Sequence, residues 1–438
     1  MLHRAVIWLL LSAGLAASET ATADDTLSQY LNGKYATGTW GGARTKLEKS
    51  GVNLGVDYTA ETAYNAAGGS KDLVDYTDQW AFTGDFDLDR LLALHDAEFK
   101  LAITKRNGQN LSDDADLGTL QQVQEVFGRG QTWRLTQLWY DQKYFSKFVD
   151  WKIGRLTAGE DFASFDCAFQ NLTFCGSQPG NLVGDYWFNW PVSQWATRLK
   201  FNFAGDISFQ AGAYETNPHF LNTTDAMLPL FPSGATGVRV PVELGWSPHL
   251  GKDQLTGSYK IGAWYDSSTA DDVFDDKNHD PAVVTGLSPA RRHGRYGVYA
   301  NFEQQVLRFD ANDASRGLSF FLNGTFADKR TATLDNQVAV GLVTTGLFDA
   351  RPDDEIGFAV GRTHVNENVA HGERLQNEDA PGSPVDVQHS EYALELYYGL
   401  QATGWFMARP NIQFIADPGG TSHNKDVVVI GLKTDLKF

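Results

Sequence analysis

Apolar and polar residues alternate along much of this chain with a period of two. Leu54, Val56, Tyr58 and Ala60 share one face of a segment whose other face carries Asn53, Gly55, Asp57, Thr59 and Glu61. Trp80, Phe82, Phe86 and Leu88 likewise oppose Thr83, Asp85 and Asp87, and Phe99, Leu101 and Ile103 oppose Glu98, Lys100, Thr104 and Arg106. Leu199, Phe201 and Phe203 oppose Arg198, Lys200 and Asn202. Ala204-Gly205-Asp206, a tight-turn composition, then leads into the next alternating run, Ile207 to Ala213. The pattern returns around residues 296–302, 318–326 and 392–398, and again at the end, where Val428, Ile430, Leu432, Thr434, Leu436 and Phe438 share a face. Successive strand side chains point to opposite sides of a sheet, so this period predicts strands with one apolar face and one polar, often charged face.

An apolar sheet face meets either a second sheet, as in a soluble sandwich, or lipid, as outside a membrane barrel whose polar face lines a lumen. The two ends of the chain and its rhythm favour the barrel. His3 and Arg4 precede a mostly apolar run, and Ala21-Thr22-Ala23 offers a small-x-small cleavage site, so residues 1–23 are expected to be a secretory signal peptide. Beyond them no apolar run reaches the ~18 residues a membrane helix needs. At the other end Phe438 closes an alternating strand, which resembles the terminal strands of bacterial outer-membrane proteins. Short turns alternate with long polar connections, among them residues 266–291 and 366–390. Trp40, Ala43 and Leu47 fall at helical spacing before Gly51, a natural helix stop. The expected fold is therefore all-β: an antiparallel transmembrane β-barrel over residues 53–438, behind a segment, residues 24–52, with a short amphipathic helix. A chain of this length has room for about 16 to 18 strands, and barrels that wide enclose an aqueous channel.

Composition removes several alternatives. Lys and Arg number 36 against 54 Asp and Glu, a formal net charge of −18, which speaks against a nucleic-acid partner. Two cysteines exclude a disulfide-framework protein and a Cys/His zinc tetrad. Mean hydropathy is −0.33, which a barrel tolerates because alternation averages away. Asp271-Asp272 and Asp275-Asp276 lack the twelve-residue calcium-loop spacing and read as a solvated loop. No metal or cofactor is expected. Neither a Gly-x-Ser-x-Gly elbow nor His-Glu-x-x-His occurs, and an acidic pair for glycosidase chemistry has no specificity among 54 carboxylates, so no enzyme is expected.

Thr37-Gly38-Thr39-Trp40-Gly41-Gly42-Ala43-Arg44-Thr45-Lys46-Leu47, followed by Gly51-Val52, resembles the N-terminal signature of the carbohydrate-selective porins of the OprB family. Further likenesses follow in order: Arg134-Leu135-Thr136-Gln137-Leu138-Trp139-Tyr140, Gly154-Arg155-Leu156 with Glu160-Asp161-Phe162, Asn189-Trp190-Pro191, and Pro410-Asn411-Ile412-Gln413-Phe414-Ile415 with Pro418-Gly419-Gly420. Cys167 and Cys175 stand in a segment similar to the family's Cys-x-Phe…Phe-Cys loop. The resemblance implies 16 strands, a monomer in outer-membrane lipid, and a narrow channel for glucose and related small neutral sugars. It also implies inward-folded loops that form a central constriction.

A sugar packs its C–H face on aromatic rings and offers its hydroxyls to planar polar groups, so a sugar constriction should combine both. Residues 157–196 have poor strand character and carry many aromatics with Asp161, Asn171 and Asn189. Arg106 lies on the lumen parity of its strand and is the first candidate for a hydroxyl-binding arginine, with Asn110 close by. Arg134 is a second candidate, although Gln137 and Leu138 break the alternation beside it; Arg155 has outward parity and is set aside. Trp195 is the aromatic expected to stack on sugar, with Trp187 and Trp190 behind it. Asp57, Glu61, Asp85, Glu98, Lys100 and Arg198 are expected lumen charges. Cys167 and Cys175 either close a small stiffening loop in an oxidising envelope, the favoured reading, or stand as free thiols. Passive, sugar-selective diffusion is thus the expected function. A general cation-leaning porin, a sugar-cleaving enzyme and a soluble sugar-binding sandwich are the competing readings.

Overall fold

The structure is a computed structural model describing residues 23–224, 226–227 and 231–438. The expected signal peptide, all but its last residue, lies outside the described residues. Sixteen strands form one antiparallel sheet. The first eight are β1 (Val52–Ala67), β2 (Val74–Asp87), β3 (Ala97–Gly108), β4 (Trp133–Tyr144), β5 (Val149–Leu156), β6 (Gln194–Phe203), β7 (Ile207–Thr216) and β8 (Gly237–Trp246). The second eight are β9 (Leu255–Asp276), β10 (Pro289–Asp310), β11 (Asp313–Ala327), β12 (Leu334–Thr345), β13 (Glu355–Val365), β14 (Ser390–Thr403), β15 (Phe406–Ala416) and β16 (Val427–Lys437). A two-residue strand, His249–Leu250, only lengthens the turn into β9. Each strand pairs with its chain neighbours, and β1 pairs with β16 from Asp57 opposite Lys437 to Ala67 opposite Val428. The sheet is therefore a closed barrel without edges, the one β architecture that satisfies every wall amide in lipid.

The alternation has a direct spatial counterpart. Ile261, Val298, Phe326, Leu396 and Ile430 face outward and are 46–58% exposed, forming the apolar belt that lipid covers. Their neighbours of opposite parity, such as Thr325, Glu395 and Val429, are buried toward the interior. The segment before β1, the end of β16 and seven connections of nine residues or fewer lie at one rim, the periplasmic one, and every longer loop lies at the other.

Two segments precede β1: α1 (Ala23–Leu31) and α2 (Ala43–Ser50). The helical spacing begins at Trp40, but the helix does not, because Trp40, Gly41 and Gly42 have φ of 53°, 63° and 88° and make a left-handed turn first. Gly51 ends α2 at φ 96° with its N–H on the Glu48 carbonyl, the left-handed stop its sequence suggests. Arg44 lies 3.7 Å from the Tyr35 ring and 4.2 Å from the Trp40 ring, and donates to the Phe438 carbonyl at 2.7 Å. The N-terminal segment is thereby tied to the end of β16.

Both long connections read from the sequence need correction. Residues 266–291 are not mainly a polar loop. β9 and β10 run on as a ribbon above the barrel, with Asp271 bonded to Arg291 at 2.6 Å and Asp275 to Arg292 at 2.6 Å. The buried side of that ribbon is built of polar residues, Asp266, Ser268, Asp272 and Asp276, so no apolar face marks it as strand. Residues 366–390 contain α3 (Glu367–Asp379), started by the Asn366 side chain accepting the Asn368 N–H at 3.0 Å.

Candidate functional site

The loops 109–132 and 157–193 fold into the barrel and fill much of its bore. Apolar contacts draw the longer one in. Phe169 packs edge-on against Tyr397 of β14 at 5.0 Å and beside Phe174 at 5.3 Å. Farther along, Trp187 meets Trp264 of β9 at 5.3 Å and Tyr299 of β10 at 6.2 Å. Tyr214, Trp264, Tyr299 and Tyr397 are aromatics on the lumen face, where a water-filled pore would have polar groups; they form the seats of this loop. Cys167 and Cys175 are joined in a disulfide with their Cα atoms 4.3 Å apart.

Polar wall groups hold the loops by their backbones. Lys433 of β16 donates to the Phe169 carbonyl at 3.0 Å and the Cys167 carbonyl at 3.1 Å, and pairs with Glu125 at 2.8 Å. The shorter loop is held at the Val126 N–H by Glu61 at 3.1 Å and at the Val123 carbonyl by Gln413 at 3.0 Å.

Between the loops and the wall lies a cavity of about 860 Å³. At its wall Gln79 of β2 accepts through one oxygen from Arg106 Nε and Trp190 Nε1, both at 2.9 Å. Arg106 also donates to the Phe127 and Gly128 carbonyls at 3.2 and 3.3 Å. An arginine and an indole are thus fixed side by side on one amide. Five carboxylates of the lining (Glu125, Glu160, Asp166, Glu303 and Asp435) face four cationic groups (Arg106, Arg129, Lys260 and Lys433), so the cavity is nearly charge-balanced.

Of the residues proposed from sequence for sugar contact, Arg106 lines this cavity, as does Trp190, which the sequence placed only behind Trp195. Asn110 is buried and caps the short turn after it, accepting the Ser112 N–H at 3.2 Å. Arg134 is gripped by loop carbonyls, Phe220 at 2.9 Å among them. The broken alternation beside it is a register shift of β4 against β3, where Gln137 and Leu135 oppose successive residues and Thr136 bulges. Asp161 is spent on Lys152 at 2.7 Å and Tyr214 at 3.1 Å. Asn171 bonds Gln413 at 2.9 Å and caps the turn at Leu172–Phe174. Trp187 is 0% exposed, under the Arg239 guanidinium at 4.7 Å. None of these five offers a free face to a solute.

Trp195 is corrected outright. Gln194, Ala196 and Arg198 take the inward positions of β6 and are buried, so Trp195 faces outward with Thr197 and Leu199 and stacks on Phe231 at 4.8 Å. β6 begins at Gln194, so Trp195 continues the outward parity of Leu199, Phe201 and Phe203, a side the alternation of that strand already carried. Arg155 lies opposite Trp195 in register, on that same side, but is buried beneath the Phe220 ring at 4.3 Å.

The expected lumen charges sit in pairs. Asp85 bonds Lys100 at 2.9 Å, Glu98 lies 3.6 Å from Lys143, and Arg198 bonds Asp141 at 3.2 Å and also Asp150. Asp57 stands opposite Lys437 in register, and Glu61 is wholly buried, 3.5 Å from Lys433. Sequence reasoning missed Gln79 and undervalued Trp190 and Lys433. Parity does place Gln79 on the lumen face, between Asp78 and the outward Trp80, directly opposite Arg106 in register.

Comparison with known proteins agrees with this architecture. The family model for the carbohydrate-selective porins, OprB family, matches residues 71–438. Porin B of Pseudomonas aeruginosa is 45% identical over 419 residues, 93% of this chain and 92% of that protein. The putative porin QuiX of Acinetobacter baylyi is 35% identical, with 98% of each chain covered. The high-pH structure of Pseudomonas putida OprB superposes with a TM-score of 0.90 at 45% identity, covering 94% of this chain and all of that one.

Proposed function

Because this chain belongs to the OprB family of carbohydrate-selective porins, outer-membrane β-barrels that are channels and not enzymes, we propose that it passes small neutral sugars such as glucose by passive diffusion through the cavity beside Arg106. The supporting observation is the Arg106–Gln79–Trp190 arrangement. The indole offers a face for sugar C–H groups, and the guanidinium offers N–H donors for hydroxyls. The near-balance of charge suits a neutral solute, because neither ion sign gains a deep well. Weak binding of this kind lets a solute enter and also leave. The barrel acts as a single channel in the outer-membrane lipid.

The test is conductance in a planar bilayer during a glucose titration. A small conductance that glucose blocks saturably is expected. Conductance that falls only with bulk viscosity would make the protein a general porin on this scaffold, and the sugar reading would fail.

A further inference from the structure

One motif recurs on the barrel wall and is not used by the solute site: a buried glutamate aimed at the backbone of an inward-folded loop. Glu395 of β14 accepts the Gln170 N–H at 2.8 Å on one oxygen and the Asn171 N–H at 2.7 Å on the other. Two strand repeats away on the same face, beyond Ala393, Glu391 accepts the Leu120 N–H at 2.6 Å and the Gln121 N–H at 3.2 Å, again one per oxygen. Its first oxygen also takes the Gly419 N–H at 3.0 Å. Both side chains are nearly inaccessible, at 1% and 2% exposure. Each carboxylate therefore spans two consecutive amides of a different loop. Charge-assisted bonds of this kind are the strong ones, and a buried carboxylate without them would be costly.

The segments held in this way border the solute path. Leu120, Gln121 and Gln122 line the cavity at the Glu391 contact, and Cys167, Leu172 and Cys175 line it on either side of the Glu395 contact. We propose that Glu391 and Glu395 are positioning residues of the channel, two carboxylate clamps that set the bore and the sugar selectivity by fixing the constriction loops through their backbones. The grip reads amides and not side chains, so loop residues facing the solute can change while the loop's seat stays fixed. The inference rests on the channel reading above, and its first two readouts need no sugar.

Glu395→Gln and Glu391→Gln each keep one acceptor and turn an amide donor toward a backbone donor. In Glu395→Gln, hydrogen exchange of peptides around residues 168–175 should quicken about tenfold or more, while strand peptides keep their protection. Glu391→Gln should do the same around residues 118–124. KCl conductance should rise and glucose block should weaken at least threefold, with the folded barrel's heat-modifiable gel mobility retained. Glu395→Asp, which keeps the charge and is the milder change should the amide variant fail to fold, should fall between wild type and Glu395→Gln. Folded variants with unchanged loop exchange and unchanged KCl conductance would overturn the clamp role. Altered exchange and conductance, with no glucose block even in wild type, would uphold the clamps and sink the sugar reading instead.

Discussion

Arg106 and Trp190 meet at a single amide oxygen, that of Gln79, at the edge of the cavity. Arg106→Ala removes a buried cation held by Gln79 and two loop carbonyls. Its hydrogen bonds to the loop are charge-assisted, each worth about 1.5–3 kcal/mol. Glucose block should weaken roughly tenfold and open-channel conductance should grow; unchanged values for both would remove Arg106 from the constriction. Trp190→Ala should cost about 1 kcal/mol of glucose binding, typical of one aromatic contact. Trp195→Ala, on the outward face against Phe231, should leave the titration where it was. A bilayer titration of the two tryptophan variants side by side separates the lumen indole from the outer one.

The inward-folded loops act as elements, each with an apolar seat and a polar latch. The loop of residues 157–193 rests its aromatics on Tyr397, Trp264 and Tyr299, and is latched by Lys433 and Glu395. The Cys167–Cys175 bridge closes a short stretch that contains both latch points at the cavity edge. Replacing both cysteines by serine should therefore raise open-channel current noise without opening the pore to the full barrel width. A quiet trace from the reduced-type variant would show that the latches alone immobilise the loop. At the periplasmic rim, Arg44 joins the N-terminal segment to the carbonyl of Phe438. Arg44→Ala should leave conductance intact and lower the yield of folded barrel during refolding into vesicles.

At the scale of the whole molecule, the closed sheet separates two environments that the same strand must satisfy. Ile430 faces the lipid and is 52% exposed, while its neighbour Val429 is wholly buried toward the lumen side. Ile430→Lys should cost about 2–4 kcal/mol of barrel stability if it sits near the bilayer midplane, less near an interface. Asp85→Asn, in a lumen pair with Lys100, should change ion selectivity and barely touch stability. Unfolding titrations in lipid vesicles check the first, and reversal potentials in a salt gradient check the second.

The alternation of residues by itself determined the strands, their apolar and polar faces and the inward parity of Arg106, because strand geometry converts sequence period directly into side; that the apolar face meets lipid came from the two ends of the chain, its turn rhythm and the family resemblance. The sequence also marked the bulge near Gln137, the helix stop at Gly51 and the group of aromatics in residues 157–196. It could not tell which of those aromatics meets solute. Trp187, Trp190 and Trp195 look alike along the chain, yet one is packed under Arg239, one lines the cavity and one stacks outside the wall. Trp195 lies on β6, where the parity of Leu199, Phe201 and Phe203 gives its outward side. The first two fates depend on where an irregular loop lands against distant strands, and irregular backbone has no period from which a side can be read. For the same reason the clamps of Glu391 and Glu395 became visible only in three dimensions: their partners are backbone amides, which leave no trace in side-chain identity.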